Sequence, residues 1–325
     1  MRKPRDQSVS KIPSLNLGRI KTYPLRTRRS KVRVTDCSVP WKRGASLQHF
    51  LETLPDVLAV KTIRAVAQAI THARRRGKPV ILGMGAHPTK VGLNPILVDL
   101  IKRGIITAVA MNGAVAIHDF ELAYSGSTSE EVEAEIDSGR FGMAEETGRI
   151  LNRAMIDGWE KGIGLGESIG RYMLRHPRDF PYRRLSLLAT GIRHGIPITI
   201  HVAIGTDIIH MHPSADGAAI GGGSLADFRK LAAVVSQMEG GVYLNLGSAV
   251  LLPEVFLKTV TLSRNLGRAL KNITTVNMDF LPQYRPLTNV VRRPTQKGGK
   301  GYSLIGHHEI MVPLLAAAVI EQFNP

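Results

Sequence analysis

The sequence predicts an α/β protein, a doubly wound, mostly parallel Rossmann-like sheet with helices on both faces. Three observations lead there. Short apolar runs (Val80 to Met84, Ile106 to Met111, Ile198 to Ile200, Val242 to Leu246, Ile273 to Val276) alternate with amphipathic segments of helix length. Aromatics are only 5% of the chain while glycines number 32, which suits a core of tightly apposed backbones. Each apolar run also ends in polar residues: Gly85-Ala86-His87, Asn112-Gly113 before His118-Asp119, His201 before Asp207, Gly247-Ser248, and Asn277 before Asp279. Ligands of doubly wound sheets bind beyond the carboxyl ends of the strands, so these residues fall where a site is expected.

Taken in order, residues 1–44 form a basic N-terminal arm, irregular except for a short strand expected near Lys31 to Thr35. The arm carries 13 Lys and Arg against Asp6 and Asp36, so +11 of the net +17 charge belongs to it. That charge suits an anionic partner, or equally a solvated arm resting on a neighbouring subunit. Without aromatic interleaving or a recognition helix, nucleic acid is not the expected partner. Residues 45–325 read as one α/β domain, with no internal repeat and no interior linker.

Helices are expected over Ser46 to Leu54 and Ala59 to Arg75. The second has apolar residues near helical spacing and ends on Arg74, Arg75 and Arg76, which complement the negative helix terminus. Another helix, Asn94 to Arg103, has Pro95 in its first turn, where a missing N–H costs nothing. Residues 128–176 are rich in helix. Their glycine series from Gly162 to Gly170 has the wrong spacing for a dinucleotide fingerprint and no preceding strand, and reads as a turn between helices. Further helices are expected over Tyr182 to His194, Ser224 to Gln237, Pro253 to Leu266, and from the last strand, Tyr302 to Ile305, to Phe323.

The lone Cys37 excludes an intrachain disulfide framework and a Cys-rich zinc site, and suits a reducing cytoplasm. No apolar run reaches the length of a membrane span, and the first residues lack the apolar core of a signal peptide. Gly221-Gly222-Gly223 before Ser224 is either a phosphate cradle or an ordinary glycine lead into a helix, with Asp227 placed to complete a capping box. Gly247-Ser248-Ala249, leaving a buried strand, is the better dinucleotide candidate. His201, Asp207, His210 and His212 have metal-ligand chemistry but no HExxH-type spacing; hydrogen bonding or proton transfer is the expected role, with no metal. Arg285, Arg292, Arg293, Lys297 and Lys300, interspersed with glycines, form either a lid over an anionic group or a solvated loop.

The stretch Gly85 to Glu121, with Lys90-Val91-Gly92-Leu93-Asn94-Pro95 and Ala108 to Gly113, resembles deoxyhypusine synthase and its bacterial homologues. So do Ile196-Pro197-Ile198 leading to Gly205-Thr206-Asp207-Ile208-Ile209, and Val312 to Ala317. The resemblance spans roughly residues 45–323. It implies a deoxyhypusine synthase-like fold, a homotetramer with sites at dimer interfaces, a small-molecule substrate of polyamine type, and NAD as hydride acceptor in an aminoalkyl transfer. It also implies that Asp207 holds the amine, that Asp119 follows the second strand as an acid of the site, and that Gly247 backs the cofactor.

Three departures accompany it. Ser248 and Ala249 stand where two further glycines belong, and Pro253 where a histidine does. The acid expected near Val202 is missing. The family's imine-forming lysine falls in Asn289-Val290-Val291-Arg292-Arg293, which has none; arginine stays protonated and cannot form the imine. The expected site therefore comprises Asp207, His118, Asp119 and Arg293 as catalytic residues. Ala86, His87, Lys90, Asn112, Gly113, Gly247, Ser248, Asn277 and His307 are expected to line a cofactor or substrate. The changed lysine implies a diverged substrate or chemistry; the alternatives are a non-catalytic homologue that keeps the oligomer, and a histidine-site metal enzyme.

Overall fold

A computed structural model describes residues 13–323. The arm holds three short 3-10 turns, Leu17–Arg19, Leu25–Thr27 and Val34–Asp36. The last replaces the strand expected near Lys31: Asp36 folds back to accept from the Arg33 N–H at 2.8 Å. Helix α1 (Leu47–Thr53) is capped by the Ser46 hydroxyl, and α2 spans Leu58–Arg75. Strand β1 (Val80–Met84) is followed by α3 (His87–Lys90), α4 (Asn94–Lys102) and β2 (Ala108–Asn112). Next come α5 (Gly113–Ser125), α6 (Val132–Glu135), α7 (Glu145–Trp159), α8 (Leu165–Arg175) and α9 (Leu187–Arg193). Strand β3 (Ile198–His201) precedes a 3-10 turn (Ile208–Met211) and α10 (Gly217–Val235). The chain closes with β4 (Val242–Leu246), α11 (Leu251–Asn265), β5 (Thr274–Asp279), a π-helix (Pro286–Arg292), β6 (Lys300–Ile305) and α12 (His308–Gln322).

All strand pairs are parallel, in the order β3-β2-β1-β4-β5-β6. The order reverses between β1 and β4, which is the topological switch point. Successive strand residues feed opposite cores, as a period of two requires. Val80, Leu82 and Met84 pack with Ile63, Ile70, Leu97, Val312 and Leu315. Ile81 packs with Leu231, Tyr243, Phe256 and Val290 on the other face. Both faces are therefore covered, and the strands read as continuous apolar runs.

The edge strand β3 is closed by side chains of α10. Asp227 accepts from the Ile200 N–H at 2.8 Å, and the Ser224 hydroxyl donates to the Ile200 carbonyl at 3.2 Å. These contacts satisfy an edge that would otherwise be a template for another chain. They also overturn the expected helix start at Ser224. The helix begins at Gly217, capped by Asp216, and Gly221-Gly222-Gly223 lie inside it. A Cβ on Gly222 would come within 2.2 Å of the Trp159 ring and one on Gly223 within 2.4 Å of Leu165, so these two glycines serve helix packing rather than a phosphate cradle.

The cationic segment after β5 is not a lid. Its π-helix packs Val290 into the core, and the Thr275 hydroxyl donates to the Val290 carbonyl at 2.6 Å. The chain then passes beneath the amino ends of the strands, where the Pro294 carbonyl accepts from Arg264 at 2.6 Å.

Candidate active site

The carboxyl edge carries a cleft of about 200 Å³ bordered by Lys90, His118, Glu121, Thr206, Asp207 and Ile208. Helix α5 supplies its main wall. Asn112, the last residue of β2, starts that helix by accepting from the Val115 N–H at 3.1 Å. His118 and Glu121 then stand three residues apart on one helix face. His118 Nδ1 lies 2.6 Å from the Thr128 hydroxyl, which donates to Glu121 Oε2. With its proton given to Glu121, the Thr128 oxygen must accept, so neutral His118 carries its proton on Nδ1 and leaves Nε2 as the basic atom. Burial pushes the Glu121 carboxyl up, but hydrogen bonds from Thr128 and Thr147 and the adjacent His118 outweigh it and hold the group below the usual carboxylate range.

Asp207 enters from the loop after β3 and sits over the start of α5. Burial pushes its carboxyl above the ordinary range, with His210 acting in the opposite direction. His210 is itself fixed, its Nδ1 accepting from the Gly205 and Asp207 N–H groups at 3.1 and 3.3 Å. Lys90 closes α3 and brings a positive charge to the same cleft. Of the residues anticipated from the sequence, Lys90, His118 and Asp207 thus converge, with Asn112 and Gly113 at the foot of the wall.

Several anticipated residues have other roles. Asp119 faces away from the cleft and is fully buried. Its two oxygens accept from Asn94, Ser186 and the Leu187 and Leu188 N–H groups, which ties α5 to the start of α9. Burial pushes its pKa up to about 6. Arg293 lies at the end of the π-helix, donating to Asn289 at 2.8 Å on the side of α11. Ser248 caps α11 by accepting from the Leu252 N–H at 3.2 Å. Asn277 is bonded within the sheet to Asn245 at 2.8 Å. His307 is exposed beside Glu309, 3.7 Å away.

A second group gathers at the switch point. Gly247 has a left-handed φ of +63°, and a Cβ there would lie 2.8 Å from the His308 ring. His308 is wholly buried and 2.8 Å from His87 through their Nδ1 atoms. Sequence reasoning singled out His307 instead. The signal lay in the pattern of α12, where His308, Val312, Leu315, Ala316 and Val319 form one buried stripe at helical spacing. Glu121 and Thr128 were also missed, although the three-residue step from His118 to Glu121 was visible.

The remaining histidines are dispersed. His201 on β3 is buried against Thr199 at 3.0 Å, and His212 Nε2 is 3.0 Å from the Gly142 carbonyl. Among the described residues no group of three or more His, Cys, Asp or Glu side chains is arranged to hold a metal ion. No helix among them is long and apolar enough to cross a membrane.

No protein-family model matches the sequence, and no curated protein matches it. Solved structures do match by shape. AgrE in a ternary complex with ornithine and NAD+ aligns at 15% identity and a TM-score of 0.52, over 80% of this chain and 33% of that one. This chain therefore spans about a third of the AgrE chain. A conserved LOR/SDH protein from Methanococcus maripaludis S2 aligns at 15% identity and TM-score 0.52, over 82% of this chain and 71% of that one. An Entamoeba histolytica protein assigned as a deoxyhypusine synthase aligns at 11% identity and TM-score 0.53, over 87% of this chain and 96% of its own. With its parallel six-stranded sheet in the order 3-2-1-4-5-6, the chain has a divergent deoxyhypusine synthase-like fold.

Proposed function

We propose that this chain is an enzyme of transferase or redox type acting on a small amine or amino acid, with His118 as its proton-transfer residue. The observation that carries the reading is the Thr128–Glu121 chain, which presets the His118 tautomer within the same cleft as Asp207 and Lys90. Nε2 of His118 would take a proton from the substrate, and the imidazolium formed would keep its Nδ1–H on Thr128. Asp207 would orient a cationic nitrogen, whose charge favours the ionised carboxylate. Lys90 would hold an opposite charge on the same molecule, which suits an amino acid better than a polycation. The neighbouring AgrE structure contains ornithine.

The cofactor that fits this reading is NAD. Gly85 and Gly247 let the ends of β1 and β4 meet backbone to backbone: a Cβ on Gly85 would strike the Gly247 carbonyl at 2.2 Å, and one on Gly247 the His308 ring at 2.8 Å. A dinucleotide approaching the switch point meets main chain there. Ala86, His87, Gly113 and Gly247 are the residues that would hold it, and when bound it would accept a hydride from the carbon bearing the amine. The AgrE complex contains NAD+. Asn289 to Arg293 offer no lysine for a covalent aminoalkyl intermediate, so the transfer known in deoxyhypusine synthases would be altered or shortened to the oxidation step.

A homo-oligomer, of tetramer type, belongs to the same reading. Leu17, Ile20, Leu25, Val34 and Trp41 of the arm are exposed on their own chain, an arrangement that suits packing on a second copy.

The test is reduction of NAD by the purified protein with ornithine, other basic amino acids, spermidine and putrescine in turn. Turnover with one of them, reduced by about 10²–10⁴-fold in His118→Gln and Asp207→Asn with the fold intact, is the expected result. Turnover that ignores both substitutions would overturn the assignment of His118 and Asp207, and a protein that turns over none of these compounds would favour the non-catalytic relative.

A further inference from the structure

The His87–His308 pair lies outside the cleft, at the switch point. His308 Nε2 lies 3.1 Å from the Met278 carbonyl, which can only accept, so the His308 proton is on Nε2. Its Nδ1 is then a lone pair, and the 2.8 Å contact makes His87 Nδ1 the donor. His87 Nε2 is left unprotonated, and no residue hydrogen-bonds to it among those described. The Phe280 ring, 41% exposed, lies beside His87 with ring centres 5.0 Å apart. All three residues meet at the carboxyl ends of β1, β4 and β5, and the glycine at Gly247 clears the space for the His308 ring.

We propose that His308 is a positioning residue that presets His87, so that His87 Nε2 accepts a hydrogen bond from the amino group of a planar heteroaromatic ring, such as adenine, lying against Phe280. This deepens the reading of the switch point as a cofactor crevice and rests on it; it needs neither His118 nor the amine substrate. The charged groups acting on His308 besides His87 are Asp279 at the end of β5 and Glu309 on α12. Burial disfavours charge on His308, against the pull of the Met278 carbonyl and Asp279.

The test is nitrogen NMR of the histidine rings in the full chain, first without ligand. His87 is expected with its proton on Nδ1 and His308 with its proton on Nε2. His308→Leu removes the acceptor and returns His87 to the ordinary mixture dominated by Nε2–H, whereas His308→Gln, which keeps a donor and an acceptor, retains the Nδ1–H form. Adenosine is then expected to shift the His87 Nε2 resonance and to bind about 5–10-fold more tightly than purine riboside, which lacks the amino group; that ratio corresponds to one hydrogen bond of about 1 kcal/mol.

A wild-type His87 carrying its proton on Nε2 overturns the proposal without any variant having to fold. So does a His87 resonance that neither nucleoside moves. If NAD still binds in that case, the cofactor reading survives and only the preset histidine fails. If NAD does not bind either, both fall together.

Discussion

Asp207 lies directly over Gly113: a Cβ at Gly113 would come within 2.1 Å of Asp207 Oδ2. The residue that opens α5 thus has no side chain because the carboxylate from the loop after β3 occupies that space. This close approach joins the ends of two neighbouring strands into one cleft wall. Gly113→Ala is expected to push Asp207 out of place, at a cost of about 1–3 kcal/mol in stability, as for other overpacked sites. Urea denaturation gives that cost. A larger loss in substrate affinity than in stability would mark the displacement of Asp207.

Thr128, just beyond the end of α5, links His118 to Glu121. Thr128→Val keeps the shape and removes the hydroxyl, so both His118 tautomers become accessible. Turnover is expected to fall about tenfold to a hundredfold, less than the ~10²–10⁴-fold loss on removing the base itself. Steady-state kinetics beside a thermal melt separates this from unfolding.

His201 is buried and neutral, with its pKa pushed down by burial to about 4 from 6.5. As pH falls below 6.5 the unfolded chain takes the proton first, so stability is full above that value and is lost as pH drops toward 4. The loss amounts to at most about 3 kcal/mol. Asp119 and Asp227, raised by burial to about 6 and about 7, titrate in the opposite sense over the same range, so the His201 share is read between proteins: urea titrations should show His201→Gln gaining on the wild type between about pH 7 and about pH 4.5.

Arg293 is an exposed side chain bonded to Asn289 at 2.8 Å, on the side of α11 rather than in the cleft. Arg293→Ala is expected to leave turnover unchanged and to alter stability by no more than about 0.5–1 kcal/mol, as for exposed polar contacts. A loss of activity without a loss of stability would restore it to the site.

What the amino-acid pattern determined by itself is local and periodic. Continuous apolar runs alternating with amphipathic segments specified a parallel sheet covered on both faces, because only strands buried twice need apolar residues at every position. The same runs pointed to this edge, since Asn112 ends β2, Gly113 opens α5 and Asp207 lies in the loop after β3, and the fold places the carboxyl ends of the parallel strands together. The cap read from the sequence, Ser224, did not hold, because the helix starts at Gly217 under Asp216.

Only the tertiary structure decided which polar side chains face that edge. His118 and Asp119 are adjacent in sequence, but a helix turns consecutive residues by about 100°, so one lines the cleft and the other anchors α9. His307 and His308 divide in the same way, one exposed and one buried. Arg293 is carried away by the π-helix, whose five-residue hydrogen bonding leaves no mark in the apolar pattern. Gly222 and Gly223 read as a lead into a helix, but lie inside one because Trp159 and Leu165, about 60 residues earlier, pack against them. Partners so distant along the chain leave no periodic trace, and the side chains of a site are chosen by such partners.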